Sequence, residues 1–304
     1  MLTNDSWLIT GASGRLGHQL CRHLVATGHR VAGLIHDRPV ELDSVTGLAV
    51  DLLDRAAIER AIEGSECSYV VHTAGLTDVD DCEARPDVAE SIHVTATSHV
   101  AIAARRKGAT FIYISTDHLW RGDRAFVDED RPPQPLNVYA LTKHRGELAA
   151  RAAHPEALIL RTNFFGHGRP WRPSFSDWLD ARLRQDNRIT MFRDVFFTPI
   201  AAEILCPLIV EMATRGATGI YHAAGSERLS KYEFGIRYAE IFGHDRARIS
   251  PASVIDAGLK APRPNDMSLA TEKIERFLGR PMPDCQESLE TLRIARAEDL
   301  LARH

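Results

Sequence analysis

The first half of the chain alternates short apolar runs with segments in which apolar residues recur at helical spacing. The run 7–9 predicts a first strand, and Leu16, Leu20 and Leu24 predict a helix that ends near Gly28. The same alternation continues to about residue 160. Because the strands are almost continuously apolar, the pattern predicts a parallel sheet that is covered by helices on both faces.

The predicted elements follow one another along the chain in a regular order. The predicted strands are 7–9, 31–35, 48–50, 69–71, 111–114 and 158–160. The predicted helices after the first are one through Ile58 and Ile62, one over about 87–107, and one that carries Tyr139 and runs to about 153.

After residue 161 this alternation breaks. A loop and a helix follow, then a helix over 204–212, a returning strand over 220–223, and helical stretches at 231–242, 271–278 and 287–302. We therefore predict an α/β fold, a Rossmann-type doubly wound parallel sheet with a smaller, mostly helical C-terminal substrate lobe over the carboxyl edge of the sheet. The predicted dinucleotide-binding domain comprises 1–165 and about 189–225, and the predicted substrate lobe comprises about 166–188 and 226–304.

The overall charge and the cysteines narrow the class of protein. The chain has 304 residues and a net charge of −4, which argues against nucleic acid or an anionic membrane as a partner. No apolar run approaches the roughly 20 residues of a membrane span, and the N-terminus carries no signal-peptide pattern. The five cysteines form no C-x-x-C pair, so we expect reduced thiols in a cytoplasmic protein.

A glycine-rich stretch, T-G-A-S-G-R-L-G (residues 10–17), follows the first predicted strand and opens the first predicted helix. In that setting Gly11 permits a tight turn, Gly14 lets the backbone approach a pyrophosphate, and Gly17 allows close packing of helix and strand. The positive end of the helix attracts phosphate groups. We therefore predict a dinucleotide site here.

The residues after the second predicted strand bear on the choice of cofactor. His36 stands where an acidic residue typically holds the ribose diol of NAD, and Arg38 follows two residues later. This arrangement favours NADPH, with Arg38, Arg15 or both near the 2′-phosphate. Asp37 keeps NADH possible.

The ends of the third and fourth predicted strands add further positions. Asp51 is expected to face the adenine or, in competition with Asp54, to cap the next helix. Ala74 and Gly75 are expected to pass under the cofactor. The cofactor-binding residues predicted from these positions are Gly11, Ser13, Gly14, Arg15, Leu16, Gly17, His36, Arg38, Asp51, Leu52, Ala74 and Gly75.

Tyr139 and Lys143, in V-Y-A-L-T-K (138–143), stand four residues apart, so that on a helix the phenol and the ammonium lie on one face. A free tyrosine has a pKa of about 10, and a nearby ammonium is expected to lower that pKa towards neutrality. Thr116, at the end of the fifth predicted strand, is expected to hold a substrate oxygen beside Tyr139, with Ser115 as the alternative. Together with the glycine turn, the catalytic set Thr116, Tyr139 and Lys143 predicts a nicotinamide-dependent enzyme that protonates or deprotonates a carbonyl or alcohol oxygen.

With these residues the chain resembles the extended short-chain dehydrogenases/reductases and, more narrowly, the dTDP-4-dehydrorhamnose reductase group of nucleotide-sugar 4-ketoreductases. The segments that carry the narrower resemblance are T-D-V-D-D-C-E (77–83), S-T-D-H-L-W-R-G (115–122), P-L-N-V-Y-A-L-T-K-H-R-G-E (135–147), L-R-T-N-F-F-G (160–166) and R-P-N-D-M-S-L (263–269). They are spread over nearly the whole chain.

The resemblance implies a role for each matching residue. Tyr139 would donate a proton to the C4 oxygen, Thr116 would orient that oxygen, and Lys143 would hold the nicotinamide ribose and lower the pKa of Tyr139. The segment 161–163 would lie near the nicotinamide carboxamide, which adds Thr162 to the cofactor-binding residues, together with Tyr139 and Lys143. The substrate-binding residues that the resemblance implies are Thr77, Val79, Asp117, His118, Asn163 and Phe164.

Four departures from the pattern of that group concern the pocket and the proton path. The group usually has tyrosine at the position of His118, tryptophan at that of Phe164, and asparagine at that of His93. It commonly has glutamine and glycine in the segment that here reads D-V-F-F-T-P-I (194–200). An altered pocket around an intact catalytic set implies a related reaction on a different sugar or carbonyl substrate.

Two other functions are compatible with the same scaffold. One is an NAD-recycling sugar epimerase or dehydratase, although the acidic residue that dehydratases of this family usually add after T-D is His118 here. The other is a non-catalytic dinucleotide-binding regulatory subunit, like that of methionine adenosyltransferase, which would have no need of the Tyr139–Lys143 pair.

The remaining expectations concern assembly and metals. A homodimer is expected, with the helices over 87–107 and 139–153 pairing through alanines that look solvent-facing. Those alanines are Ala101, Ala103, Ala104, Ala149, Ala150, Ala152 and Ala153. No metal site is predicted, because the carboxylates of 78–83 are typical of a solvated helix N-terminus.

Overall fold

The computed structural model describes residues 5–185, 187–258 and 260–301. Close packing divides the chain into a first unit (1–119, 135–160 and 206–220) and a second unit (120–134, 161–205 and 221–304). The predicted division into cofactor and substrate domains stays a prediction. The segment before residue 5 and the last residue of the predicted helix 287–302 lie outside the described residues.

The strands are numbered in chain order. They are β1 (Ser6–Thr10), β2 (Arg30–Ile35), β3 (Val45–Ala49), β4 (Tyr69–His72), β5 (Thr110–Ile114), β6 (Leu158–Arg161), β7 (Phe164–Phe165), β8 (Ile189–Phe192), β9 (Phe196–Phe197), β10 (Ile200–Ala201), β11 (Gly219–His222), β12 (Leu229–Ser230) and β13 (Ile249–Ala252).

The α-helices are numbered in the same way. They are α1 (Arg15–Ala26), α2 (Arg55–Glu63), α3 (Val79–Ala84), α4 (Pro86–Glu90), α5 (Ala96–Lys107), α6 (Val138–Ala153), α7 (Phe175–Arg184), α8 (Ala202–Thr214), α9 (Lys231–Phe242), α10 (Glu272–Leu278) and α11 (Cys285–Leu301). A π-helical turn, Ser91–Thr95, joins α4 to α5. No helix among these described residues has the length and apolarity that crossing a bilayer requires.

A seven-stranded sheet has the order β11-β6-β5-β4-β1-β2-β3. The paired strands from β6 to β3 run parallel. Hydrogen bonds from Gly219 N to Ala157 O and from Ala223 N to Arg161 O advance in the same direction along β11 and β6. The crossover between β1 and β4 lies where the strand order reverses, which is the arrangement of a doubly wound fold. The predicted α/β class with a parallel sheet is confirmed.

The sheet forms where the sequence predicted it because its central strands are buried on both faces. Trp7, Leu8 and Ile9 of β1 have no exposed surface, and α1 buries Leu20 and Leu24. Most of the other bounds agree with the prediction to within two residues, and two differences stand out. β3 begins at residue 45 rather than 48, and the helix predicted over 87–107 begins at Pro86 and contains the π-helical turn.

The alanines of α5 and α6 face the interior more than predicted. Ala101, Ala103, Ala104 and Ala150 have no exposed surface, so the prediction that these four face solvent is wrong. The reason is that α5 packs against α2, α6, β4 and β5, which leaves its small side chains in contact with neighbours. Ala152 is exposed. The homodimer stays a proposal.

The second unit contains short strands that the sequence pattern did not predict. β7 pairs with β10, β8 with β13, and β9 with β12. Most of these strands have two residues, too few for an apolar alternation to be visible. They pack with α7, α9 and α11 around an aromatic core that contains Phe165, Phe197 and Phe234.

Candidate active site

The glycine turn after β1 is held in a conformation that side chains would obstruct. Gly11 has a φ of +65°, and a Cβ there would lie 2.8 Å from Ala74 Cα. A Cβ on Gly17 would lie 2.3 Å from Gly11 O. Gly14 N donates to Gly11 O at 2.8 Å, and Gly14 is the N-cap residue of α1. The turn therefore brings the N-terminus of α1 against the end of β4, which is the geometry that binds a pyrophosphate in dinucleotide folds.

The two arginines predicted near a 2′-phosphate occupy different places. Arg15 Nη2 donates to Thr77 Oγ1 at 3.3 Å, so this side chain points to the loop after β4. Arg38 is exposed in the loop after β2, next to the exposed His36 and Asp37. His36 Nδ1 and Asp37 Oδ1 are 3.8 Å apart. The structure thus places a cation past the end of β2 and leaves Asp37 beside it.

Two carboxylates, Asp51 and Asp54, follow β3, and the sequence left open which of them caps α2. Asp54 is the N-cap of α2 and accepts from Ala57 N at 3.0 Å. Asp51 accepts from Leu53 N at 2.9 Å and is exposed, within the turn that also contains Leu52. The cap is therefore Asp54, and the assignment of Asp51 to the adenine stays a prediction.

The acidic run after β4 has structural roles within this first unit. Asp78 is the N-cap of α3 and accepts from Asp81 N at 2.9 Å, and Val79 begins the helix. Glu83 Oε2 accepts from Val138 N at 3.0 Å at the start of α6. Acidic side chains in the first turn of α3 are favoured by the helix dipole.

Thr116, Tyr139 and Lys143 are brought together at the carboxyl end of β5 and the first turns of α6. Asn137 caps α6, accepting from Ala140 N at 2.9 Å, which fixes Tyr139 in the first turn. Burial raises the pKa of Tyr139 to about 12, while a hydrogen bond with Thr116 opposes that increase. The expected decrease towards neutrality is therefore not found in the free protein, because burial outweighs the neighbouring polar groups. The phenol is protonated at neutral pH, which is the state a proton donor needs.

Lys143 lies in the interior rather than in solvent. Its Nζ donates to Ile114 O at 2.8 Å and lies 4.1 Å from the centre of the Tyr113 ring. Burial lowers the pKa of Lys143 to about 7, and the charge of Glu147 opposes this decrease. The side chain is thus poised between ammonium and amine near neutral pH.

Asp117 and His118 continue the polar strand end beside Tyr139. Asp117 is buried, and its charge raises the pKa of Tyr139. His118 Nε2 lies 3.8 Å from Asp117 Oδ1, and its ring meets the Tyr139 ring edge-on at 5.5 Å between centroids. The structure therefore places both predicted substrate residues at the phenol.

His93 occupies the π-helical turn and links three segments. Its Nε2 lies 2.9 Å from Leu76 O and 3.1 Å from Leu76 N, and its Nδ1 lies 2.8 Å from Thr142 Oγ1. The ring is edge-on to Tyr139, with 5.8 Å between centroids. Burial and the charge of Lys143 lower the pKa of His93 to about 3. A neutral imidazole thus positions α6 at the turn that carries Tyr139.

The buried histidine predicts a pH dependence of stability. Between its folded pKa of about 3 and its ordinary value of 6.5, the unfolded chain binds the proton first, so the unfolding free energy falls as the pH falls through that window. His93→Asn should reduce the slope near pH 5 by about 1.4 kcal/mol per pH unit. Urea unfolding at several pH values from about 4 to about 7, a range that covers most of that window, measures the slope. An unchanged slope in His93→Asn would contradict the prediction.

The predicted residues after β6 belong to the second unit. Thr162 is buried, Asn163 O accepts from Ile200 N at 3.2 Å, and Phe164 pairs with Ile200 between β7 and β10. Their roles towards cofactor and substrate stay predictions.

The segment 194–200 also belongs to the second unit, and it departs from the pattern of the reductase group. Val195 and Phe197, at the positions where that group commonly has glutamine and glycine, are buried in the core of this unit. Phe197 meets Phe234 at 5.6 Å between ring centroids. These two side chains therefore pack inside the protein and do not offer polar groups to a ligand.

A buried carboxylate that sequence reasoning did not single out completes the catalytic face. Ser115 Oγ donates to Glu147 Oε1 at 2.6 Å, so the alternative hydroxyl to Thr116 is engaged away from Tyr139. Glu147 is one helical turn after Lys143 and is 1% exposed. The four-residue spacing from lysine to glutamate was visible in the sequence, but an i, i+4 pair of this kind is typical of an exposed helix face.

Comparisons with known proteins agree over nearly the whole chain. A family model described as the RmlD substrate binding domain matches residues 6–296. A probable low-salt glycan biosynthesis reductase of Haloferax volcanii is 30% identical over 291 residues, covering 94% of this chain and 97% of the relative. A dTDP-4-dehydrorhamnose reductase of Mycobacterium tuberculosis is 30% identical over 277 residues, covering 89% and 86%.

A solved structure shows the same architecture. The dTDP-4-dehydrorhamnose reductase of Bacillus anthracis, in complex with NADP, superposes with a TM-score of 0.84. It is 25% identical and the match covers 96% of this chain and 100% of that one. The likeness therefore includes both units of the chain.

Proposed function

Because the chain belongs to the RmlD substrate-binding domain family, we propose that it is an NADPH-dependent oxidoreductase that reduces the 4-keto group of a nucleotide-activated deoxysugar. The observation that carries the proposal is the convergence of Thr116, Tyr139 and Lys143 at the end of β5. The relatives named as reductases and the related structure with NADP support it.

The first unit fits a nicotinamide dinucleotide. The glycine turn offers a cradle that any Cβ at Gly11 or Gly17 would obstruct, next to the N-terminus of α1. Arg38 would meet the 2′-phosphate, Ala74 and Gly75 would underlie the cofactor, and Lys143 would hold the nicotinamide ribose. When bound, NADPH supplies the hydride that the carbonyl carbon accepts.

The proton for the carbonyl oxygen comes from Tyr139 in this proposal. The raised pKa keeps the phenol protonated across the working pH range, and the Thr116 hydroxyl orients the oxygen that receives the proton. As the O–H bond of Tyr139 breaks, negative charge forms on the phenolate, and the Lys143 ammonium on the same helix face stabilises it. Hydride on carbon and proton on oxygen together give the alcohol.

The proposed substrate is a nucleotide sugar, and the proposal does not specify which nucleotide it carries. Val195 and Phe197 are buried in the second unit, so the two positions at which the reductase group commonly has glutamine and glycine contribute apolar packing here. His118 and Asp117 beside Tyr139 would contact the sugar. This supports a sugar or nucleotide other than the one that named the group.

Location and assembly are parts of the same proposal. All five cysteines are free and buried, as expected for thiols in a reducing cytoplasm. A homodimer is proposed on the exposed parts of α4–α6, where Val88, Leu141 and Leu148 are exposed.

Two alternatives are less well supported. An epimerase or dehydratase that recycles its cofactor would retain NAD through purification, and His118 follows Asp117 where a dehydratase would have an acidic side chain. A purely regulatory dinucleotide-binding subunit would not need a buried lysine one helical turn after a tyrosine that lies beside the end of β5.

The test is an assay of NADPH oxidation in the presence of 4-keto-6-deoxy sugars that carry dTDP, UDP or GDP. The reaction is monitored by the loss of the absorbance of the reduced nicotinamide. We expect turnover with one nucleotide, and tighter NADPH binding when that free nucleotide diphosphate is present. NADH should react more slowly because Arg38 has no 2′-phosphate to bind. A protein that binds NADPH but reduces none of these sugars would overturn the proposed substrate class.

A further inference from the structure

The Glu147 carboxylate is held inside the first unit by contacts from two elements. Ser115 Oγ, at the end of β5, donates to Oε1 at 2.6 Å. On α6 itself, His144 Nδ1 lies 3.7 Å from Oε2. The residue is 1% exposed. A carboxylate so enclosed is costly unless hydrogen bonds and an opposite charge compensate it, so its position calls for a cation nearby.

Lys143 is the cation on the same helix face, four residues earlier. Its Nζ donates to Ile114 O, and Ser115 is the next residue in the chain. Two consecutive residues at the end of β5 therefore fix the ammonium and the carboxylate. The charge of Glu147 raises the pKa of Lys143 against the effect of burial.

The other titratable groups that act on Lys143 or Tyr139 lie on every element packed around them. They are His72 of β4, Cys82 of α3, His93 of the π-helical turn, Tyr113 of β5, Asp117 after β5, and Arg15 of α1.

Most of these groups are uncharged at neutral pH, so they do not mask the effect of the Glu147 charge on the protonation of Lys143. Burial lowers the pKa of both His72 and His93 to about 3. Burial also raises the pKa of Cys82 to about 11 and that of Tyr113 well above its ordinary value. Asp117 acts on Tyr139 rather than on Lys143. A negative charge that favours the ammonium is therefore supplied on α6 by Glu147.

We propose that Glu147, fixed by Ser115, is a positioning residue that holds Lys143 in its ammonium form beside Tyr139. The role is exerted through Lys143, since Glu147 lies about two helical turns after Tyr139 on α6 and Lys143 stands between them. The kinetic part of this inference rests on the proposed reductase function, whereas the protonation of Lys143 can be measured without any substrate.

The first experiment follows the protonation of Lys143 directly. The chain has five lysines, Lys107, Lys143, Lys231, Lys260 and Lys273, so ¹³C-lysine NMR gives few resonances, and the spectrum of Lys143→Met assigns the one of interest. In Glu147→Gln the titration midpoint of Lys143 should move about one to two pH units lower. Glu90→Gln is the matched control, because Glu90 lies on the surface and contacts Arg145 Nη1 at 3.2 Å. A midpoint that stays within a few tenths of a pH unit in Glu147→Gln would overturn the proposal.

The second experiment is a pH profile of kcat/KM with NADPH and the reducible sugar. In Glu147→Gln the alkaline decline should move to lower pH by the same interval, so that most activity is lost at about pH 7 and returns towards wild type only at about pH 5. Damage to the fold alone would lower activity equally at every pH, and that result would overturn the proposal. Glu147→Asp, which keeps the charge, should restore part of the profile.

A further variant tests the proposal if Glu147→Gln does not fold. Ser115→Ala leaves the carboxylate in place without its hydrogen bond, so the Lys143 midpoint should move in the same direction by a smaller amount. No movement in this folded variant would count against the role of Ser115. If the NMR titration shifts as expected but no sugar is reduced, the proposed function fails while the link between Glu147 and Lys143 stands.

Discussion

Replacing Tyr139 with phenylalanine should lower kcat/KM by about 10²- to 10⁴-fold while NADPH binding stays within a few-fold of wild type. The substitution removes the oxygen that gives up the proton and leaves the ring in place between His93 and His118. Steady-state NADPH oxidation measures the loss, and fluorescence titration of the bound cofactor measures binding. The two readings together separate a chemical role from a structural one.

The control for this variant is Tyr69→Phe. Tyr69 begins β4, at the opposite end of the sheet from the catalytic set, and its ring stacks on Trp7 with 4.2 Å between centroids. Removal of its hydroxyl should leave kcat/KM unchanged. If Tyr139→Phe retained activity within tenfold, the proton would have to come from another group, and the imidazoles of His93 and His118 both contact the same ring.

The parts of the fold that were predictable from sequence are those in which the residues of a short segment determine its conformation. The turn at Gly11 has positive φ and touches Ala74, so the glycine pattern describes a real steric requirement. The strand 7–9 is apolar without interruption because it is buried on both faces. The helix that carries Tyr139 and Lys143 could be assigned from their spacing and from the apolar positions around them.

Features that depend on distant contacts were not predictable in the same way. Nothing local indicates that Glu147 points inward, because its burial is decided by Ser115 on another element. The segment 87–107 fits an α-helix by pattern, and the π-helical turn at His93 is visible only in the backbone hydrogen bonds. Alanine is favourable in helices whichever way it faces, so the direction of Ala101 and its neighbours had to come from packing.

The environment of Tyr139 shows why a sequence motif alone does not determine the pKa of a side chain. The spacing to Lys143 predicted a lowered pKa, yet burial raises it to about 12 in the free protein. The same burial lowers the pKa of Lys143 to about 7. Both groups are therefore less charged than in water. The phenolate that forms during proton transfer depends on the ammonium being present at that moment.

Replacing Lys143 with methionine should therefore lower kcat/KM by about 10²- to 10⁴-fold and also weaken NADPH binding. Methionine keeps an apolar stem against the Tyr113 ring but removes the ammonium that stabilises the phenolate and would hold the ribose. The two effects are read from NADPH oxidation and from cofactor titration. In this respect the variant should differ from Tyr139→Phe, in which binding is kept.

The control must account for the carboxylate that Lys143→Met leaves without its cation. The double variant Lys143→Met/Glu147→Gln removes both charges, and it should be as inactive as Lys143→Met if the lost ammonium is the cause. Combining Lys143→Met with Tyr139→Phe should cost little beyond Tyr139→Phe alone in the chemical step, because the lysine acts there through the phenol. Fully additive losses would mean that Lys143 serves the cofactor independently of Tyr139, and the ammonium would then have no part in proton transfer.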